Sequence, residues 1–360
     1  QGPVILDFPM NIQRTEFIYK KSLKKKDLSI SKGKKSNLSD INSIIEAGLN
    51  AKRPVILLGQ GALNDSISEE IINLKNLLKA LVVTSFLGIS SFNTDDNDYV
   101  GYIGHTGHFS ANVAVHESDF LLVLGSRLDI RQTGTEVNMF VPKGKVAWIN
   151  NDINELENPR ITADWKINEN IKDFLNLVNK DFYSKDSLSD DDWKDKICEM
   201  KEKGLEDRPN KNNCFIKPLE VMKALSNRIR DKKTVVVTGV GCHQHWAARH
   251  LPFKPKSNLF LSSGGHGTMG YDLPSAIGAA IALKDFRIYC VVGDGSLLMN
   301  IQELASLAER NLDVKVILIN NQRLGIVSQF QLITWGEDPS TGRFGTPDFV
   351  SIAKGFSVKA

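Results

Sequence analysis

Two apolar runs, residues 288–292 and 314–319, each end in a polar cluster that a strand interior does not tolerate. Gly293-Asp294-Gly295-Ser296 follows the first and Asn320-Asn321 follows the second. Runs of this length, bounded by turn residues, read as buried strands. Between them Leu298, Ile301, Leu304, Ala305, Leu307 and Ala308 recur at roughly helical spacing, so residues 297–311 are expected to form a helix. Strand, turn, helix, strand with a right-handed crossover makes a parallel pair whose strand ends share one edge of a sheet. At that edge Asp294 and Asn321 can offer two oxygens to a hard cation such as Mg2+, while glycine amides and a helix N-terminus hold a phosphate beside it. Either cluster alone reads more simply as an ordinary turn of an α/β protein. Their combination points to a metal-diphosphate site.

Two more glycine-bearing segments bear on that reading. Residues 263–279, SGGHGTMGYDLPSAIGA, contain Gly264, Gly265, Gly267 and Gly270, which permit close approach of backbone to a ligand, and Pro274, which suits the first turn of a helix. Residues 235–248, VVVTGVGCHQHWAA, read as a buried strand turning at Gly239 and Gly241 before a helix. His243 and His245 lack the spacing of zinc ligands with partners, and by themselves read as satisfied core or surface histidines.

Gly-Asp-Gly and Asn-Asn, with the 24 residues 296–319 between them, resemble the signature of thiamine-diphosphate-dependent enzymes, and NNQRLGIVSQFQ at residues 320–331 resembles the acetolactate synthase branch. The resemblance implies that the Asp294 and Asn321 side chains and the main-chain carbonyl of Arg323 ligate Mg2+. It further implies that backbone around Gly293, Gly295 and Ser296 faces the diphosphate of thiamine diphosphate, as do Gly241, Cys242 and His243. Cys242 stands where the family carries Gln, which leaves a backbone amide at that position and puts a side-chain contact in doubt. By the same resemblance Met269 supports the V-shaped cofactor, and backbone near Gly267 and Met269 binds its aminopyrimidine. Residues 54–61 (PVILLGQG), 104–114 (GHTGHFSANVA) and 124–134 (LGSRLDIRQTG) resemble the family's central domain. That likeness implies FAD in a largely structural role and Arg131 as a residue that places substrate. The family's paired acids before that arginine are reduced here to Asp129 followed by Ile130, so helix capping or loop salt bridging by Asp129 and Arg131 is an alternative. Phe330 stands where synthases that prefer 2-ketobutyrate as acceptor carry Trp, which leaves the acceptor open.

A chain of 360 residues with 41% hydrophobic content can supply two cores. The expected fold class is α/β, with two doubly wound parallel-sheet domains: a central Rossmann-like domain and a thiamine-diphosphate-binding domain. Expected elements are a strand at 3–8, helices at 41–49 and 68–80, and strands at 54–58, 81–84, 119–124 and 145–149. Residues 1–36 read as the tail of an N-terminal pyrimidine-binding domain plus linker, 37–180 as the central domain, 181–216 as a linker, and 217–360 as a C-terminally incomplete diphosphate-binding domain. The lysine run from Lys20 to Lys35 lacks interleaved aromatic residues and reads as a solvated linker rather than a nucleic-acid arm. Cys198, Cys214, Cys242 and Cys290 show no CxxC spacing and suit a reducing cytoplasm. No apolar run approaches about 18 residues, so no membrane segment is expected.

The activity implied by the resemblance is decarboxylation of a 2-oxo acid such as pyruvate, followed by carboligation to a second carbonyl compound in a homodimer or tetramer. A 2-oxo-acid decarboxylase, another carboligase, or a non-catalytic cofactor-binding module are the alternatives. The family's glutamate that protonates the aminopyrimidine belongs to an N-terminal domain of which residues 1–13 resemble only the closing stretch. The isolated chain is therefore expected to be inactive.

Overall fold

A computed structural model describes residues 8–16, 37–63, 67–178, 180–204, 216–337, 345 and 347–360. The chain divides into two units, residues 1–34 and 35–360. In the first, the described residues form one short helix, Met10–Gln13. Most of the strand expected at 3–8 and most of the lysine-rich segment lie outside the described residues, as does Cys214.

The second unit contains two sheets, both parallel throughout. The first has six strands: β1 (Pro54–Leu58), β2 (Leu81–Thr84), β3 (Tyr99–Tyr102), β4 (Phe120–Leu124), β5 (Lys145–Asn150) and β6 (Trp165–Asn168), in the order β3-β2-β1-β4-β5-β6. Strand β1 is buried along its whole length, as expected where helices cover both faces of a parallel sheet. Its side chains alternate between two cores, Ile56 and Leu58 on one face, Val55 and Leu57 on the other. The helices expected at 41–49 and 68–80 form as Leu38–Leu49 and Ser68–Leu78, the latter ended by Lys79 in the left-handed conformation.

The second sheet comprises β7 (Thr234–Thr238), β8 (Asn258–Ser262), β9 (Arg287–Gly293) and β10 (Val314–Ile319), in the order β10-β9-β7-β8. From β7 the chain passes to β8 on one side, and β9 returns on the other. A crevice therefore opens beyond the ends of β7 and β9, where ligands of open α/β sheets bind. One expected element differs. The helix anticipated over 297–311 is two helices, Asp294–Met299 and Glu303–Glu309, broken at Asn300. Asn300 leaves helical geometry (φ −137°, ψ 36°) and its amide donates to the Gly270 carbonyl at 2.8 Å, tying the break to the glycine-rich loop.

Residues 191–204, within the span read from sequence as a linker, form the helix Asp191–Gly204. It buries Trp193 and Ile197 in one core of the first sheet, and the Trp193 indole donates to Glu117 at 2.9 Å. The two sheets meet through Phe86, whose ring packs edge-on against Phe260, and through the Phe253 amide, which donates to Thr94 Oγ1 at 2.9 Å.

Candidate cofactor and metal site

The β10–β9 register pairs Ile319 with Gly293, so the chain leaves both strands at one level and brings Asp294 beside the turn at Asn320 and Asn321. Asp294 is only 2% exposed, and each of its carboxylate oxygens accepts one backbone N–H: Gly295 at 2.9 Å and Gln322 at 2.6 Å. The Gln322 bond ties the two strand ends together and fixes the carboxylate's orientation. Asn321 Oδ1 accepts the Arg323 N–H at 3.3 Å, and Gln322 between them adopts φ 58°, a left-handed turn that presents successive backbone groups to one side.

A cavity of about 170 Å³ collects this set. It is lined by Asp294, Asn321, Arg323, Gly241, Cys242 and His243, together with Met269, Gly293, Gly295 and Ser296. Every cofactor- or metal-site residue singled out from the sequence is thus in one place except Gly267 and Arg131. Those two line an adjoining cavity of about 470 Å³, which shares Val240 and Ile326 with the first. There the Arg131 guanidinium donates to the Gly264 carbonyl at 3.2 Å and lies beside Gly267, itself in a left-handed conformation (φ 78°). Asp129 Oδ1 meanwhile accepts the Arg131 amide at 2.8 Å, so the capping expected of Asp129 is present.

Two helices, Cys242–His250 and Asp294–Met299, begin at this cavity behind glycines that offer no capping side chain. At such uncapped N-termini first-turn amides are available to a ligand, although the Gly295 amide is already given to Asp294 and that of Gln244 to the Gly241 carbonyl. The glycines are sterically required. A Cβ on Gly293 would stand 2.9 Å from His243 Nδ1, and one on Gly325 would stand 2.9 Å from Asn321 Nδ2 and 3.1 Å from the Cys242 sulfur. His243 is not the satisfied histidine anticipated from sequence. It is 4% exposed, and its Nε2 has no hydrogen-bond partner among the described residues. Burial, with a smaller contribution from His245, pushes its pKa down to about 4, so at neutral pH the ring is uncharged.

Ser296 turns its hydroxyl away from the cavity, donating to Asp272 Oδ2 and accepting the Gly270 N–H at 3.0 Å. Its side chain thereby braces the glycine-rich loop, and only its backbone remains for a ligand. Asp272, fully buried, has its pKa raised by that burial. Sequence reading missed Asp272, although an acid opening a helix directly after a glycine-rich loop is a usable signal. Asn300 carries no such signal, because its partner Gly270 lies 30 residues away.

Among the described residues no three His, Cys, Asp or Glu side chains gather as a metal site. One carboxylate, one amide oxygen and main-chain carbonyls form instead the oxygen donor set of a hard cation such as Mg2+. Beside it lie the orphaned His243 Nε2 and uncapped helix amides, which suit a phosphate oxygen. The residues present fit a metal-bridged diphosphate.

Residues 239–360 match the family model described as thiamine pyrophosphate enzyme, C-terminal TPP binding domain, and residues 41–178 match that of the central domain of the same enzymes. Among similar curated proteins is a probable acetolactate synthase large subunit of Methanococcus aeolicus, 32% identical over 377 residues, covering 100% of this chain and 62% of that protein. The acetolactate synthase large subunit of Haemophilus influenzae is 31% identical, with 99% and 62% covered. Chloroplastic acetolactate synthase 2 of Brassica napus is 34% identical, with 92% and 51% covered. The chain spans about 62% of the length of the first two relatives.

Proposed function

Because the chain belongs to the thiamine pyrophosphate enzymes, we propose that the cavity at Asp294 and Asn321 holds thiamine diphosphate through a divalent cation, and that the protein carrying it is an acetolactate synthase-like carboligase. The observation that carries this reading is the pair of oxygens at two adjacent strand ends, Asp294 fixed by the amides of Gly295 and Gln322. Asp294, Asn321 and the Arg323 carbonyl hold the Mg2+. Amides at Gly241, Cys242 and Ser296, together with the neutral His243, would take the diphosphate oxygens, the Gly295 amide being given to Asp294.

When bound, thiamine diphosphate supplies the carbon nucleophile and the electron sink that decarboxylation of a 2-oxo acid requires. The chain's own residues place and shield it. Val240, Met269 and Ile326 give the cavity apolar walls. Met269 would support the cofactor and Gly267 would offer backbone to its pyrimidine. Arg131, reaching the glycine loop from the first sheet, holds the carboxylate of the incoming acid as an orienting charge. Phe330, exposed on the helix Gly325–Trp335, belongs to the acceptor side.

Calorimetry tests the cofactor assignment. Asp294→Ala and Asn321→Ala are each expected to weaken Mg2+-dependent thiamine diphosphate binding by at least about tenfold, as loss of groups supporting a metal does; undiminished affinity would sink it. Product analysis with pyruvate tests the reaction: acetolactate supports carboligation, and free acetaldehyde alone would favour a decarboxylase. A second reading adds FAD in the larger cavity, favoured by the β3-β2-β1-β4-β5-β6 order of dinucleotide-binding sheets and by polar lining from Gln60, Ser85, Ser126 and Gln132. Gly59, Gly61 and Gly125 there pack the β1 and β4 loops against each other rather than cradling a ligand. Absence of flavin absorbance after reconstitution with FAD and desalting would count against this addition.

A further inference from the structure

A third polar cavity lies at the far end of the helix Cys242–His250. This cleft of about 560 Å³ runs between the loop before β3, the helix Asp191–Gly204 and the helix Pro218–Ile229. Four cations line it, Lys201, Lys223, Arg230 and Arg249, against one carboxylate, Asp95. Asp95 is already shared between Arg230 at 2.6 Å and Lys254 at 3.9 Å, and the nearby Asp96 is held by Lys75 at 3.2 Å. Lys201 spends its ammonium on the Tyr99 carbonyl, and Arg249 its guanidinium on the Thr106 and Gly107 carbonyls, which orient the charges without cancelling them. Among the described residues none of Lys201, Lys223 and Arg249 is in an ion pair with an acid.

The two histidines of the cleft respond to this excess. Burial lowers the pKa of His250, and Arg249 and Lys223 lower it further; His108 is lowered by burial and then by Arg249, Lys201 and His250. Lys201, by contrast, is lowered by burial alone, opposed first by Cys198 and then by Asp95, Asp96 and Glu202. Thr94 and Ser226 add hydroxyls to the lining, and Lys223 and Ser226 with Arg230 follow one face of the helix Pro218–Ile229 and its end.

We infer that this cleft, formed where Lys201, Lys223, Arg230 and Arg249 converge between the two sheets, binds a small phosphate-bearing anion. A monocarboxylate would neutralise one charge of the excess. A phosphate dianion answers more of it, its several acceptor oxygens suiting the Lys223 ammonium and the N–H groups that Lys201, Arg230 and Arg249 do not already give to carbonyls or to Asp95. The occupant would sit at the last turn of the helix whose first turn faces Asp294, about 13 Å away along the axis for nine residues. It is a site separate from the diphosphate cavity.

Calorimetry of the purified protein with inorganic phosphate and with glycerol 3-phosphate tests the inference. Lys223 is exposed, so Lys223→Glu leaves packing intact and is expected to weaken both ligands roughly tenfold, with affinity falling steeply as salt rises. Saturating Mg2+ and thiamine diphosphate, which would fill the diphosphate cavity instead, are expected to leave both affinities unchanged. Tighter binding of glycerol 3-phosphate would identify a phosphate ester as the occupant, and equal binding free phosphate. The His250 pKa, followed by NMR, is expected to rise on saturation. Unchanged affinity in Lys223→Glu, loss of phosphate binding once Mg2+ and thiamine diphosphate are present, or no binding of either phosphate would each overturn the proposal.

Discussion

Glycines along the edge of the second sheet differ sharply in what they do. A Cβ on Gly239 would overlap the Asp272 carboxylate and the Ser296 hydroxyl, two buried groups already bonded to each other, whereas Gly265 has open space on every side within 4 Å. Gly239→Ala is therefore expected to lower stability by about 1–3 kcal/mol, the usual cost of overpacking a core. Gly265→Ala is expected to stay within about 0.5 kcal/mol. Urea unfolding of both variants checks the contrast, and similar midpoints would contradict the geometry. At this scale the juxtaposition of Asp294 and Asn321 was legible because both terminate apolar runs, and strand register alone makes them neighbours. The turn of the Ser296 hydroxyl toward buried Asp272 was not legible, since its partner lies 24 residues earlier.

Buried neutral histidines join the helix Cys242–His250 to its surroundings. His243 is held to about 4 chiefly by burial. His108 is held to about 3 by burial and the nearby Arg249, while its Nδ1 accepts the Tyr102 N–H at 3.1 Å. Both pKa values lie below the ordinary 6.5 of an unfolded histidine. As pH falls from about 6.5 toward 4, the unfolded chain takes up protons that these folded rings refuse, so stability present above that window is progressively lost. The urea midpoint is expected to drop across that window, and His108→Gln to flatten part of the decline. A slope identical to that of the parent would remove His108 from the account.

The longer elements followed their apolar periodicity, as β1, β9 and β10 did. Short edge strands escaped: β3 contains Gly101 at φ 112°, and β6 is half-polar because only part of it is covered. The break at Asn300 escaped as well, because the apolar pattern runs unbroken through it.

At the scale of the whole molecule, two parallel sheets were foreseen from alternating strand and helix signals. How they meet was not, since Phe86 against Phe260 and Arg131 against the glycine loop are contacts between distant segments. That meeting sets the cavity at Asp294 beside the one lined by Arg131 and opens the cationic cleft behind it. Among the described residues no helix is long and apolar enough to cross a membrane.

The central claim is that one cation, held by Asp294 and Asn321, bridges protein and diphosphate. Mn2+ in place of Mg2+ makes it directly measurable by electron paramagnetic resonance. Binding is reciprocal when two ligands share a site, so thiamine diphosphate should tighten Mn2+ by the same factor as Mn2+ tightens thiamine diphosphate. The account predicts that reciprocal tightening in the parent protein and its loss in Asp294→Ala; Mn2+ affinity indifferent to thiamine diphosphate, or unchanged by the substitution, would contradict it.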